Sequence, residues 1–288
     1  MSQSLDAPAF QNLLKSFLAE DVGGGDITTE TLVSATARAR GEVIAKSPMV
    51  LAGIDLFVEV FRLLDVTAEA EMLLRDGEEL TPGQVPARLS ASAHALLTGE
   101  RVALNLLQRL SGVATITRRF VKAVAGTAAQ IVDTRKTTPG LRELEKYAVR
   151  VGGGRNHRKD LGEAVLIKEN HIRLAGGVAA ALEAAQAARG QAKWIEIEVT
   201  NLEELRAALA HAPDIILLDN MSPQLVREAV EQVRLRDPER KVRTEASGGI
   251  ALANVREFAE AGVDWISVGA LTHSAPAMDL SFEIEPLS

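Results

Sequence analysis

Residues 193–220 read KWIEIEVTNLEELRAALAHAPDIILLDN, and this stretch decides the fold. Trp194 to Val199 is a short apolar run in which Glu196 and Glu198 alternate with aliphatic residues. Leu202 to Ala210 has the apolar spacing of a helix, and Ile215 to Leu218 is a second apolar run, ending in Asp219-Asn220. Strand, helix and strand in such close succession describe parallel strands joined by a crossover.

The same alternation extends in both directions. Further strand-like runs cover Ala129 to Val132, Val165 to Ile167, Val242 to Ala246 and Trp265 to Val268. Helical spacing covers Leu141 to Val151, Val178 to Arg189, Pro223 to Val233 and Leu252 to Ala261. No glycine-rich nucleotide fingerprint follows the first run, which weighs against a Rossmann sheet. An α/β barrel fits better, complete or open, although six units fall short of the usual eight.

Upstream the pattern differs. Ala9 to Glu20 reads as a short amphipathic helix, and a glycine- and threonine-rich loop follows from Asp21 to Thr31. Strand-like runs cover Gly41 to Lys46, Ala68 to Leu74 and Gln84 to Ala91, punctuated by Asp76-Gly77 and Pro82-Gly83. Ala93 to Val124 has helical spacing, with a break expected near Ser111-Gly112. This first section reads as an α+β unit with a small sheet and helices.

Hydrophobic residues make up 47% of the 288 and charged residues 25%, enough apolar material for a packed core rather than a disordered chain. No apolar run approaches the roughly 18 to 20 residues of a membrane span, and the start lacks a secretion-signal pattern. Cysteine is absent, excluding disulfides and thiolate chemistry and fitting a cytoplasmic protein. A net charge of −7 argues against a nucleic-acid binder. Residues 134–173 nevertheless hold ten Lys/Arg against five acids, which suggests a local anion site. Charge counting alone fits a solvated helix face at least as well.

In a barrel, chemistry sits where strands end. The first run exits into Asp133-Thr134-Arg135-Lys136 and the second into Lys168-Glu169-Asn170-His171. The third carries Glu196 and Glu198 on one face, and the fourth ends at Asp219. The fifth gives Glu245-Ala246-Ser247-Gly248-Gly249, and the sixth Gly269-Ala270 and then His273. Arg135, Lys136, His157, Arg158 and Lys168 form a cationic half, and Glu198 and Asp219 an anionic half with Glu196 as a weaker member. Glycines after a strand let main-chain N–H groups close on a phosphate. The inferred ligand is polyanionic, and planar arginine forks suit carboxylates. Glu198 and Asp219 could hold Mg²⁺ through water or steady a cationic transition state.

Each residue has a plainer reading. Glu196 and Glu198 could face solvent on an edge strand, an unlikely position in mid-alternation. Lys168 could snorkel. Asp219 could cap the next helix, though Ser222 before Pro223 is the better cap. His94 and His211 read as structural, and His171 stands evenly between supporting the site and capping a helix. No spacing supports zinc. Glu20-Asp21 and the following glycines superficially suggest a phosphoribosyl-diphosphate loop, but that acidic pair should follow a strand, whereas this one follows a helix.

DTRKTTPGLRELEKYAVRVGGGRNHRKDL from Asp133 and VLIKENHI from Val165 resemble the signature of the quinolinate phosphoribosyltransferase family. EDVGGGDITTE, GERVALNLLQRLSGVAT, IEIEVTNLEEL, ILLDNMSP, EASGGI and DWISVGALTHS extend the resemblance in order over nearly the whole chain. It implies an open-faced N-terminal α/β sandwich over residues 1–115, with 275–288 as a candidate to return to it, an incomplete C-terminal α/β barrel over 116–274 and a homodimer with shared active sites, with higher assembly left open. It implies Mg²⁺ and conversion of quinolinate and phosphoribosyl diphosphate to nicotinate mononucleotide, diphosphate and CO₂ in NAD synthesis. By motif match, Arg135, His157, Arg158 and Lys168 would contact quinolinate, with Arg101 arriving from the partner subunit. Lys136, Lys168, Glu198 and Asp219 would surround the ribose and diphosphate. Ser247, Gly248, Gly249, Gly269, Ala270 and His273 would hold the 5′-phosphate. Three alternatives stay open: a relative acting on another pyridine or a molybdenum-related ligand, a Schiff-base lyase using Lys168 or Lys136, and a non-catalytic phosphate-sensing or scaffold barrel.

Overall fold

The computed structural model describes residues 6–287. They fall into two units: residues up to Ile116, Tyr147–Gly152 and from Ala275 onward in the first, Thr117–Lys146 and Gly153–Ser274 in the second.

In the first unit a 3₁₀ turn, Ala7–Phe10, leads into α1 (Gln11–Val22), and α2 (Ile27–Leu32) follows. The loop expected from Asp21 to Thr31 is thus partly helical. Asp26 caps α2, accepting the Thr29 N–H at 3.0 Å, and among the described residues no strand precedes Glu20-Asp21. Next come β1 (Arg38–Ala45), β2 (Met49–Val50), α3 (Ile54–Leu64), β3 (Glu69–Met72), β4 (Glu79–Leu80), β5 (Ala87–Ser92) and α4 (Ala93–Ala123). Asp76 fixes the start of α3 by accepting the Gly53 and Ile54 N–H groups, and Tyr147 donates its hydroxyl to the same carboxylate at 2.6 Å.

α4 runs unbroken for 31 residues, so the break expected at Ser111-Gly112 does not occur. Gly112 serves close approach instead: a Cβ there would lie 1.9 Å from the Pro276 carbonyl oxygen. The hydroxyl of Ser111 accepts the Ala52 N–H at 3.1 Å. A small residue pair that looks like a helix breaker is thus a contact surface.

In the second unit come β6 (Gln130–Val132), α5 (Arg142–Val151), β7 (Val165–Ile167), α6 (Glu169–Ala175), α7 (Val178–Ala187), β8 (Ile195–Val199), α8 (Leu202–Leu209), β9 (Ile215–Asp219), α9 (Pro223–Arg236), β10 (Arg243–Ser247), α10 (Val255–Glu260), β11 (Trp265–Ser267) and α11 (Ala270–His273), the expected alternation with two short helices, α6 and α11, added to it. α5 begins in this unit and ends in the first. The six strands form one parallel sheet in the order β6-β11-β10-β9-β8-β7, so its two edge strands are the first two in the chain. β8 lies inside the sheet, which removes the edge-strand reading of Glu196 and Glu198. Ser222 caps α9 with Pro223 in its first turn, as expected.

The last strand, β12 (Leu280–Pro286), pairs antiparallel with β1 and brings the chain end into the β12-β1-β5-β3 sheet of the first unit. There Phe282 stacks on Phe61 and meets Phe57 edge-on.

Candidate active site

The carboxyl ends of β6, β7, β9, β10 and β11 frame a hollow of about 330 Å³ within the second unit. Arg135, Lys136, Arg158 and Lys168 supply its cationic lining, Leu166 and Leu217 its apolar lining, and Asp133, His157, Glu245, Ser247 and Ser267 polar groups around them.

Asp133 anchors this arrangement from below. Its side chain is fully buried and accepts from Lys146 Nζ at 2.5 Å, Asn156 Nδ2 at 2.5 Å and the His157 N–H at 2.9 Å. Lys146 also donates to the His157 carbonyl at 3.0 Å. Burial pushes the Asp133 pKa up and the Lys146 pKa down, and their mutual attraction opposes both shifts. α5 is therefore tied to the strand end and to the Asn156-His157-Arg158 turn. Glu145 extends the tie by accepting both the N–H and the hydroxyl of Thr138.

Two arginines, Arg135 and Arg158, line the hollow within reach of each other's charge. Burial, and then the charge of Arg135, lower the Arg158 pKa, with Glu196 opposing. Arg158 Nη1 donates to the Ala164 carbonyl at 3.0 Å, whereas Arg135 Nε is buried with no hydrogen-bond partner among the described residues. Like charges held together at a concave surface create a strong demand for an anion.

Beneath them lie His157, Glu196 and Glu245. Imidazole Nε2 is 2.9 Å from Glu196 Oε2 and 3.4 Å from Glu245 Oε2. Trp194 and Trp265 meet the ring edge-on. Burial resists charging the imidazole, but the two carboxylates outweigh it and push its pKa up to about 10. The Arg158 N–H is directed at Nδ1 at 2.9 Å, whereas His157 Nε2 and Glu245 Oε2 are buried with no hydrogen-bond partner among the described residues. Burial and the charge of Glu196 raise the Glu245 pKa.

The anionic half stands beside the hollow. Glu198 Oε2 is 3.7 Å from Lys168 Nζ, and its pKa is raised by burial and by the charge of Asp219 on the neighbouring strand. Lys168 is a half-exposed residue at the start of α6 rather than a sealed one. His171 Nδ1 accepts the Lys168 N–H at 3.0 Å, which settles His171 as a helix cap.

Gly248 and Gly249 both adopt positive φ, 92° and 62°, and a Cβ on Gly248 would lie 2.2 Å from Asn220 Oδ1. This turn therefore needs glycine on both conformational and steric grounds. Gly269 starts α11 and packs against His273 Nε2 and Lys136 Cδ, and Thr272 donates its hydroxyl to the Lys136 carbonyl at 2.8 Å. Ala270 is the first residue of that helix.

The structure thus gathers Arg135, Lys136, His157, Arg158, Lys168 and Ser247 around one hollow. Glu198 joins through Lys168, Asp219 through Glu198, and Gly269 and His273 through Lys136. Arg101 is not among these: it lies on α4 in the first unit, exposed and paired with Glu100 at 3.6 Å.

The sequence reading missed the supporting roles of Asp133, Lys146 and Asn156, and of Glu245 with Trp194 and Trp265. Asp133 and Asn156 adjoin the DTRK and NHR residues, and that adjacency was the available signal.

The N-terminal domain model of quinolinate phosphoribosyl transferase matches residues 26–111, and its C-terminal domain model matches residues 113–283. The chain belongs to the quinolinate phosphoribosyltransferase family. It is 43% identical over 274 residues to the probable nicotinate-nucleotide pyrophosphorylase (carboxylating) of Bacillus subtilis, covering 95% of this chain and 93% of that one. It is 40% identical to the nicotinate-nucleotide pyrophosphorylase (carboxylating) of Homo sapiens, covering 94% and 90%. Among solved family members, the crystal structure of NadC from Streptococcus pyogenes superposes with a TM-score of 0.94 at 39% identity, covering both chains fully. The family assignment accounts for the two-unit architecture and for the parallel sheet with its hollow.

Proposed function

We propose that this protein transfers the phosphoribosyl group of phosphoribosyl diphosphate to quinolinate, releasing diphosphate and CO₂ and forming nicotinate mononucleotide for NAD synthesis. The observation that carries this reading is the convergence of Arg135, Arg158 and Lys168 on one hollow, with Glu198 adjoining through Lys168. Curated relatives named for this reaction, matched over nearly the whole chain, support it.

Quinolinate is a planar dicarboxylate, which guanidinium forks bind in a defined orientation. Arg135, with its unpartnered Nε, and Arg158 form the clamp in this reading, flanked by Leu166 and Leu217. The pyridine nitrogen attacks C1′ of the ribose as the C1′–oxygen bond breaks, and both bonding electrons leave with diphosphate. Positive charge that develops on the ribose is steadied by Glu198 and Asp219. The resulting pyridinium then accepts the electron pair released when the neighbouring carboxylate departs as CO₂, and a proton completes the ring. Lys136 and Lys168 face the diphosphate, while Ser247, Gly248, Gly249, Gly269, Ala270 and His273 take the 5′-phosphate.

Mg²⁺ fits Glu198 and Asp219, two hard oxygen donors whose mutual repulsion already raises the Glu198 pKa. When bound, the ion would offset charge on the leaving diphosphate. In the same reading the enzyme is a cytoplasmic homodimer, with Arg101 reaching the partner's site. Among the described residues no helix is long and apolar enough to cross a membrane.

Incubation of the protein with quinolinate, phosphoribosyl diphosphate and Mg²⁺ tests the reading. Nicotinate mononucleotide and CO₂ in equal amounts are expected. Absence of product, or equal turnover of nicotinate lacking the second carboxylate, would overturn it.

A further inference from the structure

Arg135 and Arg158 stand on different segments of the chain, one just after β6 and the other in the Asn156-His157-Arg158 turn. Burial, and then the Arg135 charge, lower the Arg158 pKa, so the two groups repel one another. A planar dicarboxylate engages both forks only at one separation, so the two segments must be held at a set distance. One joint between them, Asp133 with Lys146, is buried at the strand end beneath the hollow. A second joint lies closer to the arginines themselves.

That joint is Arg142, a half-buried residue in the first turn of α5. Its Nε donates to Thr137 Oγ1 at 3.0 Å and its Nη2 to the Arg135 carbonyl at 3.4 Å, while Nη1 donates to the Lys159 carbonyl at 3.3 Å. The Arg135 carbonyl also accepts the Thr137 N–H at 2.9 Å, a tight turn at the place where Arg142 grips the segment. One guanidinium thus spans the residue that carries one half of the clamp and the residue next to the other half. Its neighbours on α5 act in the same sense. Glu145 accepts from Thr138, and Glu143 Oε2 lies 3.5 Å from Lys159 Nζ. All three nitrogens of the Arg142 guanidinium are engaged by the protein, and Arg142 is not part of the hollow's lining.

Resting on the functional reading above, we propose that Arg142 is a positioning residue that sets the separation of Arg135 and Arg158, and thereby the preference of the site for two adjacent carboxylates over one. It touches no substrate. Lysine cannot replace it, because one ammonium carries the charge but lacks the planar fork that reaches both carbonyls at once.

The test measures the binding of two ligands to full-length protein by calorimetry: quinolinate alone, with two carboxylates, and nicotinate mononucleotide, with one. Arg142→Met should weaken quinolinate by about tenfold and nicotinate mononucleotide by less than about threefold, the first being the size of coupling found within one hydrogen-bond network. Arg142→Lys should be as impaired for quinolinate as Arg142→Met. In an Arg135→Ala background, Arg142→Met should weaken quinolinate by no more than about twofold, because no pair is left to space. Retained binding of nicotinate mononucleotide shows that each variant is folded. The proposal is overturned if both ligands weaken equally, or if Arg142→Lys binds quinolinate as wild type does, which would assign the effect to charge alone. A loss as large without Arg135 as with it also overturns the proposal. Wild-type protein that binds no quinolinate would sink the functional reading as well, whereas normal wild-type binding with an unaffected Arg142→Met would sink the spacing role alone.

Discussion

Glu196 and Glu198 sit two residues apart on the same face of β8, yet they live in different chemical worlds. Glu196 is fully buried against His157 and Trp194. Glu198 retains 15% side-chain exposure and faces Lys168 and the charge of Asp219. The strand passes from the sealed floor of the site to its rim within one step of the alternation. Carboxylates on the floor are sealed from solvent, and Asp133 among them is enclosed by donors and holds other residues in place. Those on the rim are poorly neutralised by the protein and suit a cationic ligand or transition state.

The comparison can be broken most forcefully at the floor. Lys146→Met removes the charge opposite buried Asp133 and should cost about 3–5 kcal/mol of stability in urea unfolding. A loss below about 1 kcal/mol, the usual size for a surface pair, would show that the floor is not electrostatically closed. On the ligand side, Arg158→Ala should weaken quinolinate binding by roughly 2–5 kcal/mol in calorimetry, with Arg135→Ala similar. An unchanged dissociation constant would remove the clamp.

At the rim the balance reverses. Asp219→Asn and Glu198→Gln should lower kcat by on the order of a hundredfold, as loss of a group acting on transition-state charge does, while substrate dissociation constants change little. Equal loss in binding and turnover would contradict the rim assignment. Their stability should move by less than about 0.5 kcal/mol.

The smallest expected effect is a pH slope. The Glu198 pKa is raised in the folded protein, so the native state binds its proton more tightly than the unfolded chain. Its contribution to stability is present below the ordinary value of 4.5 and is lost as pH rises through the raised value. Unfolding midpoints of Glu198→Gln across that window should lack this decline. An identical slope in wild type and variant would assign the titration to another group.

Much of this was legible from residue order. Short apolar runs separated by helical spacing identified every strand of the parallel sheet, because the interior strands are largely buried, even where β8 and β10 carry polar residues. The first unit was harder. α3 was missed although Asp55, Glu59 and Arg62 mark a helical period along an otherwise apolar stretch. Gly112 looked like a break because the sequence cannot show the Pro276 carbonyl that requires it. Strand β12 depends on pairing with β1 across most of the chain, a contact no local pattern reveals. At the site, the DTRK, NHR and IKEN stretches identified the cationic lining. Alternation placed Glu196 and Glu198 on one face but carried no information about depth, so the floor formed by Glu196, His157 and Glu245 became visible only in three dimensions.

A crystal structure with quinolinate bound tests the central claim most directly. The account predicts a dicarboxylate in the hollow of the second unit, its carboxylates on the guanidinium groups of Arg135 and Arg158. Quinolinate seated elsewhere, or bound without those two arginines, would contradict it.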